Sequence, residues 1–335
     1  MTQDHDLNER KAAILTAVVE EYIETALPVG SNSIAASGGV KVSPATVRNE
    51  MAALEADGYL RQPHTSAGRL PTEKAYRYFV DAVGQGTLNQ PDRLQVTEVF
   101  RRMQGEIEDM MQNTASLLSG LTDLAAVVVD HTAEAAVVRS VQLVLLAQRS
   151  ALAVVVLSNG SVDKFRIDFE SEPDADEIAR VGRVVAAALE GTRQGERVVV
   201  APSGEPSLDE SAQRIVDVIL AGGDPDRVYV DGASRVVGSF EAVESVRQVL
   251  TILEQQLVVV RVLTDVLDRG LNVAIGSETG VDRLEDCSVV VAPYDIDGQR
   301  AGSIAVLGPT RMHYPQTMAA VAAVSRKLSE RLSEG

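Results

Sequence analysis

The run Ser43-Pro44-Ala45-Thr46-Val47-Arg48-Asn49-Glu50-Met51-Ala52-Ala53-Leu54 holds side chains that could read a nucleic acid. At about 100° per residue in a helix, Val47, Met51 and Leu54 share one apolar face. Ala45, Asn49, Ala52 and Ala53 fall opposite, with Thr46 and Arg48 at the flanks. Small residues let a helix approach base edges. Asparagine can pair in bidentate fashion with adenine, arginine with guanine, and alanine or threonine methyls can meet thymine. Ser43 is a favoured N-cap and Pro44 is tolerated at the first helical position. The free N–H groups at that end suit a phosphate. The segment His64-Thr65-Ser66-Ala67-Gly68-Arg69 has no large apolar side chain. It groups hydroxyl, imidazole and guanidinium donors about a flexible glycine, as contact with phosphate or a minor groove requires. Candidate DNA contacts are therefore Ser43, Ala45, Thr46, Arg48, Asn49, Ala52, His64, Thr65, Ser66, Arg69 and Lys74. Each segment alone also reads as ordinary surface: alanines serve helix propensity, and a polar loop is a solvated turn.

Other chemistry finds little support. His5, His64, His131 and His313 are scattered, and Cys287 stands alone, so no zinc-ligand spacing exists. One cysteine allows no intrachain disulfide, which fits a reducing, cytoplasmic setting. Cys287 sits in the strand-like run Asp286-Cys287-Ser288-Val289-Val290-Val291 and reads as a core residue. Gly302-Ser303-Ile304-Ala305-Val306 lacks a phosphate loop, and the many carboxylates read as a solvated acidic surface. No enzyme and no cofactor are expected. No apolar run approaches the roughly 20 residues that cross a bilayer, and the polar start is no secretion signal.

The elements that must position the reading helix follow from periodicity. Ile14, Val18 and Tyr22, with Leu15, Val19 and Ile23, predict a helix over Asn8–Ala26. Ser31 can cap a short helix to Ala36, and the reading helix comes third, running to about Asp57 before Gly58. That order, followed by a strand at Tyr59–Gln62, the 63–69 loop as wing, and a helix from Thr72 burying Tyr76, Phe79, Val80 and Val83, is a winged helix-turn-helix. Gly84–Pro91 reads as a linker.

Beyond it the pattern predicts a helix over 92–118 and strands at 125–129, 137–147, 151–157 and 162–169, the last two joined at an Asn159-Gly160 turn. Helices follow near 174–190, 208–221 and 241–269, with short strands at 197–200 and 228–231. Strands return at 271–275, 288–294 and 302–307, before a helix over 314–332. The fold class is α+β and multidomain: strands, then helices, then strands suggest one α+β domain interrupted by a helical insertion.

Net charge is −17, unevenly spread: residues 1–83 carry 8 basic and 11 acidic residues, the remainder 23 and 37. Within 41–77 the sign reverses, since Lys41, Arg48, Arg61, Arg69, Lys74 and Arg77 outnumber Glu50, Glu55, Asp57 and Glu73. A small basic island on an acidic body permits DNA binding while discouraging wrong docking. So small an island needs a second copy, and two copies would read two half-sites of an inverted repeat. The dimer interface is expected in the helical region near 170–255, through Ile215, Val218, Ile219, Val243, Val246, Val249 and Leu250. The alternative is that these line the protomer's own core.

Several blocks together resemble one family: Ser43–Met51, Leu54-Glu55, Gly58-Tyr59-Leu60, Pro63–Thr72, Ile275-Gly276-Ser277-Glu278, Asp286-Cys287-Ser288 and Gly308-Pro309-Thr310-Arg311-Met312. They resemble the bacterial heat-inducible transcription repressors, HrcA, over nearly the whole chain. Two positions depart, Ala75 where the family usually has Gly and His313 where it has Asp. The second withdraws any role for an acid there. The resemblance implies a dimeric repressor of chaperone operons on an inverted-repeat operator, sustained by the chaperonin GroEL and released when unfolded proteins occupy it. It also implies a GAF-like domain interrupted by a dimerisation insertion. The resulting division is 1–83 for DNA binding, 84–91 linker, 92–170 and 256–335 for the GAF-like domain, and 171–255 for the insertion. Two other readings stay open: a regulator controlled by a small effector in the GAF-like domain, and an assembly module that has lost DNA binding.

Overall fold

The computed structural model describes residues 7–334 except 38, 41, 65–66, 104–106, 132–135, 159, 170, 194–195, 223–226, 236–239, 241–242 and 271. The first unit holds α1 (Glu9–Thr25), α2 (Ser31–Ala36), α3 (Pro44–Ala56), the two-stranded ribbon β1 (Leu60–Arg61) and β2 (Leu70–Pro71), and α4 (Glu73–Val83). It is a winged helix. Asn8 caps α1 by accepting from the Lys11 amide, and α1 buries Ile14, Leu15, Val18, Val19 and Ile23. The α2 helix begins after Gly30 with no side-chain cap, so Ser31 is its first residue and not its cap. Gly58, at φ +80°, turns the chain from α3 into the ribbon. Val83, expected inside, is 40% exposed because α4 buries only Ala75, Tyr76, Phe79 and Val80.

The expected 92–118 helix is two helices, α5 (Gln90–Arg102) and α6 (Ile107–Thr122), since the chain turns extended at Met103. A five-stranded antiparallel sheet follows, in the order β7-β3-β10-β9-β8. Its strands are β3 (Ala125–Asp130), β7 (Arg227–Asp231), β8 (Val273–Ile275), β9 (Cys287–Ile296) and β10 (Gln299–Pro309). Both faces are covered, so β3 up to Val129 and the middle stretches of β9 and β10, Val289–Ala292 and Ile304–Leu307, are continuous apolar runs. Ala126, Val128, Ile304 and Val306 join a core that includes Phe100, Leu118 and Val324, from α5, α6 and α11 (Tyr314–Ser333). Ala125, Val127, Val129, Ala305 and Leu307 face the opposite way, into a core with α9 (Val243–Glu254) and α10 (Gln256–Asp268). The expected 241–269 helix breaks between these two at Gln255.

Strands β4 (Val138–Ala147), β5 (Ser150–Leu157) and β6 (Val162–Asp168) make a separate three-stranded sheet. With α7 (Ala175–Leu189) and α8 (Pro206–Gly222) they enclose their own core around Val155, Leu157, Val185, Leu189, Ile215 and Ile219. The chain leaves the larger sheet after Asp130 and returns at Arg227, and these two residues are register partners. The insertion is therefore 131–226, not 171–255, and it contains strands as well as helices. The three strands look in sequence like a continuation of β3, but hydrogen bonding assigns them elsewhere. Helix α9, expected in the insertion, belongs to the body. The expected strand at 197–200 is absent. Gln213 takes those backbone groups instead, accepting from the Val200 amide at 2.8 Å and donating to the Val198 carbonyl at 3.0 Å. Asn159 lies outside the described residues, while Gly160 has φ +87° as a turn requires.

Candidate nucleic-acid interface

Helix α3 is built as its pattern predicts. Ser43 Oγ accepts from the Thr46 amide at 3.2 Å and Pro44 opens the helix. Val47, Met51 and Leu54 are buried, which anchors one face. Ser43, Ala45, Arg48, Asn49 and Ala52 are exposed, and Thr46 is half-buried with its hydroxyl 3.0 Å from that of Ser43. One helix thus presents small, amide and guanidinium side chains to the outside on a rigid, three-point apolar footing.

The charge balance sharpens at the same place. Glu50 pairs with Arg10, Glu55 with Arg69 at 3.0 Å, and Asp57 with Lys11 at 3.1 Å. Three of the island's four acids are thus paired, two of them with cations of α1 and Glu55 with the island's own Arg69. Arg48 and Arg61 remain on exposed positions, Arg61 at the wing ribbon. Arg61 joins the candidate contacts, and its alternation with buried Leu60 is the signal in the sequence.

The wing differs from expectation. Arg69 is bound to Glu55, half-buried, and its backbone exchanges bonds with Val29 at 2.9 and 3.0 Å. It is a brace between wing, α3 and the 28–30 turn, not a free phosphate contact. Gly68 is held rather than flexible: a Cβ there would sit 2.4 Å from the Val29 carbonyl oxygen. Lys74 donates to the Asp57 carbonyl at 2.9 Å and lies 4.1 Å from the Tyr59 ring centroid, so it too is engaged while exposed. His64 is exposed at the tip. Thr65, Ser66 and Lys41 lie outside the described residues.

The expected dimer residues do not form one surface. Ile215 and Ile219 are buried in the insertion's core and Val249 in the body's, so these three pack within the protomer. Their helical spacing reported a core-facing stripe, and periodicity alone cannot tell which core. Val218 is 45% exposed, Val246 and Leu250 are half-buried, and the Val243 side chain lies outside the described residues.

Elsewhere the titratable groups serve packing. Burial, helped by the neighbouring Asp286, pushes the Cys287 thiol up to about 12, so it stays protonated and inert. Burial, and then the Asp130 carboxylate, holds the Tyr294 hydroxyl well above its ordinary range. Among the described residues no cluster of His, Cys, Asp and Glu is placed to hold a metal, and no helix is long and apolar enough to cross a membrane.

Comparison with known proteins agrees with this geometry. The winged helix-turn-helix transcription repressor, HrcA DNA-binding family, matches residues 6–82, and the HrcA protein C terminal domain family matches 108–318. Curated relatives described as heat-inducible transcription repressor HrcA include those of Nocardia farcinica (36% identical, 97% of each chain) and Acidothermus cellulolyticus (37%, 98% of this chain and 99% of the relative). One from an Arthrobacter strain is 38% identical over 96% of this chain and 97% of its own. A crystal structure described only as a hypothetical protein shares the fold, with TM-score 0.65 at 22% identity, covering 98% of this chain and 99% of that one. A capped reading helix on a braced wing, joined to an α+β body and matched along nearly its whole length, makes this chain a member of the HrcA family of heat-inducible transcription repressors.

Proposed function

We propose that this chain is a homodimeric repressor of chaperone operons that reads an inverted-repeat operator with α3. It is a regulator and not an enzyme. The observation that carries the reading is the exposed Ala45, Arg48, Asn49 and Ala52 face set opposite buried Val47, Met51 and Leu54. Arg48 and Asn49 supply base or phosphate contacts, His64 and Arg61 add phosphate contacts from the wing, and Thr65 and Ser66, next to His64 in sequence, remain candidate contacts. Replacing Arg48 or Asn49 by Ala should weaken binding by roughly 1–3 kcal/mol with the fold intact. A fluorescence-anisotropy titration on an inverted repeat selected from random duplex by the full chain tests this. Wild-type affinity in both variants would exclude α3 as the reading helix.

The second copy is supported by β4. This strand is an edge of the insertion's sheet, and Val144, Leu145 and Leu146 are exposed along it. A long apolar edge invites pairing, and a second copy brought by a two-fold axis would cover it. Val218 remains a candidate contact. The insertion is then the dimerisation domain, and the surrounding five-stranded sheet with its helix layers is the GAF-like domain. Modulation by the chaperonin GroEL in the cytoplasm rests on family membership. Purified repressor that keeps full operator binding through heating and cooling without chaperonin would count against it.

One observation favours effector control. An open cleft of about 440 Å³ beside β9 and α11 is lined by Gln85, Asn272, Pro293, Met318, Ser325 and Arg326. By contrast, the space between the sheet and α9–α10 is only about 10 Å³, so an effector has no room there. A ligand-dependent melting shift without chaperonin would support effector control.

A further inference from the structure

Two blocks of the chain, 275–278 and 310–312, are not on the reading helix, the wing or the insertion. Both touch the winged helix from the body. Glu73 and Arg77 stand one turn apart on α4 and meet the short 3-10 turn Gly276–Thr279. Glu73 accepts from the Ser277 hydroxyl at 2.6 Å and from its amide at 3.3 Å. Arg77 donates through Nε to Glu278 Oε1 at 2.9 Å, through Nη2 to the other oxygen, and through Nη2 to the Val273 carbonyl at 2.7 Å. The Glu278 carboxylate also accepts from the Ile275 amide at 2.9 Å, so its own turn orients it. Gly276 has φ +53°, and a Cβ there would sit 2.1 Å from Glu73 Oε1. It would also meet the Glu285 carbonyl oxygen at 2.9 Å, so the positive φ and this backbone contact favour glycine, which leaves room for the Glu73 carboxylate against the turn. On the other block, Arg311 donates to the Ile23 carbonyl at 3.1 Å, near the end of α1. The linker joins in, with the Gly86 amide bonded to the Pro315 carbonyl at 3.1 Å and Leu88 buried.

Apolar contact already holds the two units together, because one continuous core runs from Ile14 through Tyr76 to Tyr314. Apolar burial is non-directional, however, and tolerates rotation. A bidentate arginine–carboxylate fork is directional and tolerates little. We propose that Ser277, Glu278 and Arg311 are positioning residues for DNA binding. They index the winged helix on the body through Glu73, Arg77 and the end of α1, and so present α3 at one fixed angle. In the dimer that angle sets the separation and phase of the two half-sites, a consequence that rests on the two-fold reading above.

The test uses the full chain with Arg77→Ala, Glu278→Ala and the double variant, and Ser277→Ala as a milder lesion should either single variant fail to fold. The first readout needs neither DNA nor a dimer: the rate of chymotryptic cleavage after Leu88, which reports opening of the joint. Each single variant should be cut roughly tenfold faster than wild type, as for loss of about one charged hydrogen-bonded pair. The double should be cut no faster than Arg77→Ala alone, because Glu278 meets α4 through Arg77, whereas Arg77 also holds the Val273 carbonyl. The second readout is the preference for the selected inverted repeat over the same duplex with about 5 bp inserted, half a helical turn. That preference should fall about tenfold, again without addition in the double, while affinity for random duplex is kept. Wild-type cleavage rates, effects that multiply in the double, or loss of random-duplex binding in step with the operator would each overturn the proposal. A wild type indifferent to the insertion would refute the two-fold reading instead, and the cleavage rates would still decide the index.

Discussion

The winged helix and the insertion join the same body by opposite means. The winged helix shares its core with the body: Tyr76 of α4 meets Tyr314 of α11 with ring centroids 6.0 Å apart, inside one apolar cluster. The insertion has a closed core of its own. Arg227, where the chain re-enters the sheet, ties the two by pairing with Asp163 of β6 and with Glu108 of α6 at 3.0 Å. A shared core makes two units one cooperative body, whereas a private core makes a module. The DNA-reading end is thus built to be held at an angle, and the insertion to be a separable surface.

Five expected outcomes would break or sharpen that contrast. Tyr76→Ala removes a buried ring at the joint and should cost about 3–5 kcal/mol. Calorimetry should show winged helix and body losing stability together, and a variant that melts only the winged helix would separate what the shared core unites. Ile215→Ala should cost about 2–5 kcal/mol, confined to the insertion. Amide exchange should quicken in 138–222 and stay unchanged in α1 and α3; quickening there would mean the insertion is not modular. Arg61→Ala should leave stability unchanged and lower the salt slope of DNA binding by about one unit. Arg69→Ala should instead loosen the wing, so an unchanged wing with a reduced slope would restore Arg69 as a phosphate contact. The smallest effect concerns Cys287. With its thiol at about 12, the reactive thiolate is nearly absent at pH 8 and grows only as pH rises toward that value. Iodoacetamide should leave native protein unmodified at pH 8, and rapid labelling there would contradict its burial.

The shared core also revises how the winged helix behaves alone. A fragment ending at Val83 would expose the α4 face that meets the body, including Tyr76. It should be less stable than the unit within the full chain, although its internal core through Val18, Val47 and Leu54 is complete.

The winged helix was legible in the sequence because its signals are local. Ser43-Pro44 caps a helix within one turn, Val47, Met51 and Leu54 repeat at helical spacing, and Gly58 stops it, so face and boundaries follow from a dozen neighbouring residues. The strands were legible for the same reason, since β3 to β5 and β8 to β10 hold apolar runs between turn residues and β6 follows the Asn159-Gly160 turn signal. What periodicity could not settle was partnership. Strands β3 and β4 read alike, yet they lie in different sheets: β3 pairs with β10 and Arg227–Asp231, both distant in sequence, whereas β4 pairs with its neighbour β5. Ile215 and Val249 both announced an inward face, and only packing decided that one serves the insertion and the other the body. Arg69 and Arg77 looked like the same kind of cation as Arg48. Tertiary structure set a carboxylate against each of the first two, Glu55 and Glu278, and left Arg48 facing outward. Charge is a property of the residue, but what it is available to bind is decided by its neighbours in space.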